Sequence, residues 1–214
     1  MIVFTLVLCY DIFVEVSQMD ERLRNAEAIV FDVGNVLLTF DAEKVSALLP
    51  EAHRDALMRA MFLDGHLWGK FDLGVQSNEE VAREIAQCAG IADAWEWPLY
   101  LLAHFPATMA PLPLYGLIDE LHGMGKRLYA LTNYPEPSFS LTCSRFPRLM
   151  ALDGAVVSAR ERLAKPDPAI FRLLTARYGL SPERTLFIDD AAANVASAAH
   201  LGFQTWHYAG SDRL

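Results

Sequence analysis

From residue 28 onward, short apolar runs rich in β-branched and aromatic residues alternate with stretches of helical periodicity. The runs fall at 28–31, 127–131, 155–157, 185–188 and 203–206, each bounded by polar or glycine residues. Continuous apolar strands interleaved with helices predict an α/β fold with a parallel sheet covered on both faces. One interval breaks the rhythm: 95 residues separate Phe31 from Arg127, where a simple βαβ crossover needs only a few dozen. Within it, helical patterns occupy 42–49, 51–62, 78–89 and 94–104, with a glycine-containing break over 70–78. This predicts a helical insertion leaving from the carboxyl end of the first strand. Open parallel sheets bind ligands at that edge, so the insertion is placed to act as a lid.

The amino end follows a different pattern. Of the first 16 residues 13 are apolar, but Asp11 and Glu15 interrupt the run, no basic residue precedes it and no small-residue cleavage site follows. It is a poor secretory signal. The readings are an extra strand or apolar arm packed on the body, an upstream start with Met19 as the true first residue, or an anchor or partner-binding segment. Residues 20–27 read as a polar spacer.

Composition narrows the classes. At 214 residues, 53% apolar and 21% charged, the chain suits one compact unit carrying an insertion. Its net charge of −9 argues against a nucleic-acid or anionic-membrane binder, both of which need a basic surface. A small phosphorylated substrate stays compatible, because one lysine and one divalent cation invert a local field. Three scattered cysteines, Cys9, Cys88 and Cys143, form no disulfide or zinc pattern, and a cytoplasmic location is the expectation. No run reaches the length of a membrane helix.

The chemistry-bearing residues sit at strand ends. In FDVGNVL, Asp32 closes the first strand and Gly34 permits a tight reversal; the carboxylate could be a covalent nucleophile or a turn former. Thr132 and Asn133 close the second strand and could hold phosphate oxygens or simply end it. In KPDP, Asp167 and Pro168 form an N-cap and first-turn pair, whereas Lys165 could neutralise a carboxylate and a phosphate or be a solvated surface lysine. In FIDD, Asp189 and Asp190 repel unless compensated. They suit Mg²⁺, which prefers hard oxygen ligands, unless Asp190 or a following residue merely caps the helix that carries Asn194.

Taken in order, Asp32, Thr132, Lys165 and Asp189-Asp190 resemble the motifs of the haloacid dehalogenase (HAD) superfamily, over residues 28–210. The resemblance implies a HAD-like Rossmannoid three-layer core with a C1-type helical cap: core at 28–40 and 111–214, cap at 41–110, and residues 1–27 as arm and spacer. FDVGNVL, LTN, KPD, FIDD and the segment from Lys70 to Glu80 are most similar to the branch containing bacterial α-D-glucose-1-phosphate phosphatase and the amino-terminal phosphatase domain of epoxide hydrolase. Carried over, Asp32 is nucleophile and Mg²⁺ ligand, and Asp190 the second carboxylate ligand. Asp189 is a nearby acid counted in the metal set, and Gly34 a ligand through its carbonyl. Thr132 and Asn133 bind phosphate, and Lys165 bridges nucleophile and phosphate. The expected activity is a Mg²⁺-dependent phosphomonoester hydrolase acting on a small phosphorylated metabolite through an aspartyl-phosphate. The alternatives are a 2-haloacid dehalogenase and a phosphate-binding protein without turnover.

One departure matters. Most phosphatases of the superfamily carry an acid two residues after the nucleophile; here that position is Gly34. Asp41 or His66 could substitute, or the leaving group could need little protonation, as in a sugar 1-phosphate or an acyl or aryl phosphate. The insertion's His53, His66, Trp68, Trp95 and Trp97 read as cap core rather than ligand contacts.

Overall fold

The computed structural model describes residues 19–64 and 66–209; the apolar run and Cys9 lie outside them. Five parallel strands, β1 (Ala28–Phe31), β2 (Arg127–Thr132), β3 (Gly154–Val157), β4 (Thr185–Asp189) and β5 (Gln204–His207), form one sheet in the order β3-β2-β1-β4-β5. The sequence expectation of an all-parallel α/β sheet holds, with each strand displaced by a residue at most.

Alternation along the strands feeds two cores. Ile29 and Phe31 of β1, with Leu128 and Ala130 of β2, face one cluster; Ala28, Val30, Tyr129 and Leu131 face the other. All of these residues are buried, the signature of a sheet covered on both sides.

Among the described residues the chain forms twelve α-helices. They are α1 (Glu21–Asn25), α2 (Ala42–Ser46), α3 (Glu51–Met58), α4 (Trp68–Leu73), α5 (Asn78–Cys88), α6 (Glu96–His104), α7 (Pro113–Gly116), α8 (Ile118–Gly123), α9 (Ser138–Arg145), α10 (Ser158–Glu161), α11 (Pro168–Tyr178) and α12 (Ala192–His200). Helices α11 and α12 bury Ile170, Phe171, Leu174 and Ala198 against the second face; α7 and α8 bury Leu114, Ile118 and Leu121 against the first.

Three expectations change. Residues 20–27 are no spacer: Asp20 caps α1, Leu23 and Ala26 are fully buried, and Arg22 lies 3.8 Å over the Trp206 ring. The supposed break over 70–78 begins with α4, which ends at Gly74 in the left-handed conformation, φ 64°. The helix expected over 51–62 passes at Arg59 into a π-helical turn, Arg59–Leu63.

Helices α2 to α6 lie between β1 and β2 in the chain. Their entry and exit run side by side: Leu38 bridges Pro111, and Thr39 N donates to Ala110 O at 2.8 Å. Helix α4 is fastened to the loop after β2 through Ser158. Its hydroxyl accepts from Tyr134 N at 2.9 Å and donates to Asp72 O. Asn78 donates to Glu136 O at 2.9 Å and Ser138 to Leu102 O at 2.7 Å. Among the described residues no helix is long and apolar enough to cross a membrane.

Candidate active site

The register brings the strand ends together. Phe31 pairs with both Ala130 and Ile188, so Asp32 emerges beside Thr132 and Asp189, and its own N–H still donates to Ile188 O at 2.9 Å. Lys165 reaches the same point from the loop before α11. Its side chain is buried, and Nζ lies 2.9 Å from Asp32 Oδ1 and 2.7 Å from Asp189 Oδ2. The surface-lysine alternative is therefore excluded. Burial works against the ammonium, but the two carboxylates outweigh it and hold its pKa above the ordinary lysine range. Asp167 caps α11, accepting from Ala169 N at 2.8 Å, with Pro168 in the first turn.

Burial pushes the Asp32 carboxyl up to about 6; Lys165 opposes this and the Asp189 charge adds to it. Asp32 also accepts from Val33 N at 2.7 Å, which fixes the carboxylate's rotation.

Oxygens of Asp32, Asp189 and Asp190 lie within 4.8 Å of one another. The three are not equivalent. Asp189 is fully buried; Oδ1 accepts from Ala191 N and Asn194 Nδ2, each at 2.9 Å, and Oδ2 from Lys165 Nζ at 2.7 Å and Asn194 Nδ2 at 3.1 Å. Four donor contacts occupy the lone-pair positions a carboxylate offers. Asp189 thus anchors Lys165 from within the acidic group, in keeping with its expected place as a nearby acid. Asp190 faces the cavity, with one contact to Asn35 Nδ2 at 3.0 Å. Asp32, Asp190 and the backbone at Gly34 thus present hard oxygens around surplus negative charge, a donor set that fits Mg²⁺.

Thr132 is buried at the end of β2 and lines the cavity with Asn133. The Asn133 amide is already engaged, donating to Lys165 O at 2.9 Å and accepting from Lys165 N at 2.8 Å. Its side chain therefore shapes the lysine loop, while the residue itself stays in the cavity lining beside Thr132.

Neither suggested substitute for the missing acid reaches the site. Asp41 caps α2, accepting from Glu43 N and Lys44 N, and His66 is exposed; neither lines the cavity.

The cavity, about 200 Å³, has a polar floor of Asp32, Gly34, Asn35, Thr132, Asn133 and Asp190. Its wall is Phe40, Phe62, Trp68, Phe105, Met109 and Tyr134. Trp68 belongs to the buried core, as read from the sequence, and in addition lines the ligand space, while Trp95 and Trp97 pack partly buried against the core. Sequence reasoning missed this wall, because apolar residues on helices carry no mark separating ligand contacts from core. It also missed Asn35, which the left-handed φ of 56° demanded by the turn could have flagged. Asp72 was missed too: burial, and then the Asp32 charge, push its carboxyl up to about 7, and its Oδ1 has no hydrogen-bond partner.

A doubly wound parallel sheet with an aspartate after its first strand, a buried lysine and a facing carboxylate at the switch point defines a class of hydrolase. Residues 26–202 match the family model described as haloacid dehalogenase-like hydrolase, and the chain belongs to that family. The sesquiterpene phosphatase astK of Aspergillus oryzae is 24% identical over 191 residues, 86% of this chain and 91% of that one. The chain spans only 18% of acyl-CoA dehydrogenase family member 10 of Mus musculus and 33% of the drimenol cyclase drtB of Aspergillus calidoustus, at 27% and 25% identity. Among solved structures, the HAD family enzyme BT-2542 of Bacteroides thetaiotaomicron, in complex with magnesium and inorganic phosphate, superposes with a TM-score of 0.71. It is 21% identical over 87% of this chain and 96% of that one. The L-2-haloacid dehalogenase of Xanthobacter autotrophicus gives 0.63 at 18% identity, over 84% and 76%.

Proposed function

We propose that the chain is a Mg²⁺-dependent phosphomonoester hydrolase acting on a small phosphorylated metabolite. The carrying observation is the asymmetric carboxylate cluster, with Asp189 saturated by donors around Lys165 and Asp190 left facing the cavity beside Asp32. A phosphatase relative and a structural neighbour complexed with magnesium and phosphate support the reading. A 2-haloacid dehalogenase has no need of a second open carboxylate, since displacing halide requires no cation.

Asp32, Asp190 and the Gly34 carbonyl would hold Mg²⁺, which when bound neutralises charge on the phosphoryl oxygens. Lys165 orients Asp32 and offers positive charge to the phosphate, and Thr132 lies where its hydroxyl can meet a phosphate oxygen. Asp32 Oδ attacks phosphorus, and the ester P–O bond breaks with its electron pair on the leaving oxygen, which takes a proton from solvent. Water then attacks the aspartyl-phosphate; the Asp32–phosphorus bond breaks, giving back the carboxylate and releasing inorganic phosphate and a proton. Within this reading, 28–40 and 111–214 form the catalytic core and 41–110 the cap, supported by the paired entry and exit at Leu38 and Pro111. Nucleic acid and membrane are not among the partners, in keeping with the net charge of −9. The free thiols of Cys88 and Cys143 accord with a cytoplasmic setting.

The test is phosphate release from aryl and sugar phosphates with and without Mg²⁺. Wild type is expected to turn over at least one ester only with Mg²⁺, and Asp32→Asn none. Full activity in Asp32→Asn would remove the mechanism.

A further inference from the structure

The wall of the cavity is chemically one-sided. Among its six residues three carry a hydrogen-bonding atom, one of them only a weakly accepting thioether, and all three atoms are committed elsewhere. The Tyr134 hydroxyl pairs with Thr142 Oγ1 at 2.8 Å and lies 3.2 Å from Met109 Sδ, and Trp68 is hydrogen-bonded to Asp72. The rings hold one another: Phe62 stacks on Trp68 at 5.0 Å, and Phe105 meets Phe40 at 6.0 Å and Trp68 at 5.6 Å, both edge-on. What faces the ligand is carbon. A sugar enclosed there would leave hydroxyls unpaired, each weakening binding by roughly ten- to a hundredfold.

Size narrows the occupant further. A cavity of roughly 150 Å³ accepts benzene. The 200 Å³ here, with a phosphate on the polar floor, leaves room for about one ring. The leaving oxygen also meets no proton donor. Position 34 is glycine, Asp41 is spent as a helix cap and His66 lies outside the lining. Asp72 is held by Trp68 and does not line the cavity either. An ester hydrolysed there needs a leaving oxygen stable as an anion. A phenol, with a pKa near 10, meets that need far better than an aliphatic alcohol.

We infer that the site selects an aryl phosphomonoester, whose single aromatic ring sits within the Phe40, Phe62, Trp68, Phe105, Met109 and Tyr134 wall and whose phenolic oxygen leaves without a protonating side chain. This rests on the phosphatase reading and names its substrate class. Bond changes are those given above, with phenolate as the departing anion and solvent as its proton source.

The experiment compares kcat/KM with Mg²⁺ for phenyl phosphate, benzyl phosphate and glucose 1-phosphate. Benzyl phosphate keeps the ring but leaves as an alkoxide. Phenyl phosphate is expected to exceed each of the others by about 10²-fold. In Phe62→Asn its KM should rise at least tenfold while inhibition by inorganic phosphate, which reads the floor alone, stays unchanged. Gly34→Asp, whose added Cβ meets no atom within 4 Å, should raise turnover of benzyl phosphate by about 10²-fold or more. Glucose 1-phosphate or benzyl phosphate within tenfold of phenyl phosphate would overturn the inference and leave the phosphatase reading standing, as would an unchanged KM in Phe62→Asn. No release from any ester would remove both.

Discussion

Asp72 carries an electrostatic cost that Lys165 and the Trp68 hydrogen bond offset only in part. Its buried Oδ1 lacks a partner and the Asp32 charge stands nearby, which together lift the carboxyl from 3.8 to about 7. Between those values the folded chain holds a proton that the unfolded chain releases. Stability from this residue is therefore complete below pH 3.8 and lost progressively as the pH rises towards 7. At about 1.4 kcal/mol per pKa unit, the loss amounts to at most a few kcal/mol, less whatever the residue's partial exposure screens. Asp72→Asn keeps the shape without the charge. Its melting temperature is expected to exceed that of wild type, by a margin larger at pH 8 than at pH 5; an equal margin at both would contradict the assignment. Lys165 shows the opposite case, an enclosed charge whose two partners make burial tolerable. Asp32 and Asp190 stood out in the sequence because strand ends mark them, and Lys165 because it precedes the Asp167-Pro168 helix start without sharing its capping role. Asp72 sits within α4 with no comparable marker, and only the fold reveals what it faces.

Among the elements, α4 decides the shape of the wall. Gly74 at its end made the segment read as a break, yet glycine is required there. Its φ is 64°, and an added Cβ would lie 2.4 Å from Ala159 O and 2.9 Å from Ala159 Cα, both backbone atoms. The close approach lets Ser158 tie α4 to Tyr134, so two wall residues share one anchor. Gly74→Ala is expected to destabilise the protein by about 1–3 kcal/mol, through positive-φ strain and the clash, and to raise the KM for phenyl phosphate. A denaturant melt and a saturation curve check both. The π-helical turn Arg59–Leu63 carries Phe62 into the wall, and a continuous 3.6-residue period would have aimed it elsewhere. Helix α1 escaped notice because five residues with one buried leucine, Leu23, leave no readable period. The strands were legible because both faces of the sheet are buried, which makes each strand a continuous apolar run.

For the molecule as a whole, the net charge of −9 has a local counterpart: at the switch point three carboxylates cluster, and a single lysine pairs with two of them. A divalent cation binding there stabilises the folded chain by mass action, about 2.7 kcal/mol at a hundred times its Kd. Mg²⁺ is therefore expected to raise the melting temperature of wild type. In Asp190→Asn, which keeps Lys165 and its two partners, the gain should shrink sharply. Thermal scans with and without Mg²⁺ measure it, and an identical shift in both proteins would place the cation elsewhere.

Sequence alone determined the alternation of strands and helices, the long insertion after β1, and the order of Asp32, Thr132, Asp189 and Asp190 at strand ends with Lys165 ahead of a helix. These follow from local rules: a period of apolar positions and the polar residue that stops it. Tertiary structure decided how the pieces divide their work. Asp189 and Asp190 are neighbours with the same side chain, and only the positions of Lys165 and Asn194 make one an anchor and leave the other facing the cavity. Phe40 and Phe105 are 65 residues apart and become one wall because the insertion's entry and exit pair at Leu38 and Pro111. Contacts between residues so distant depend on how whole elements pack, and no local period along the chain encodes them.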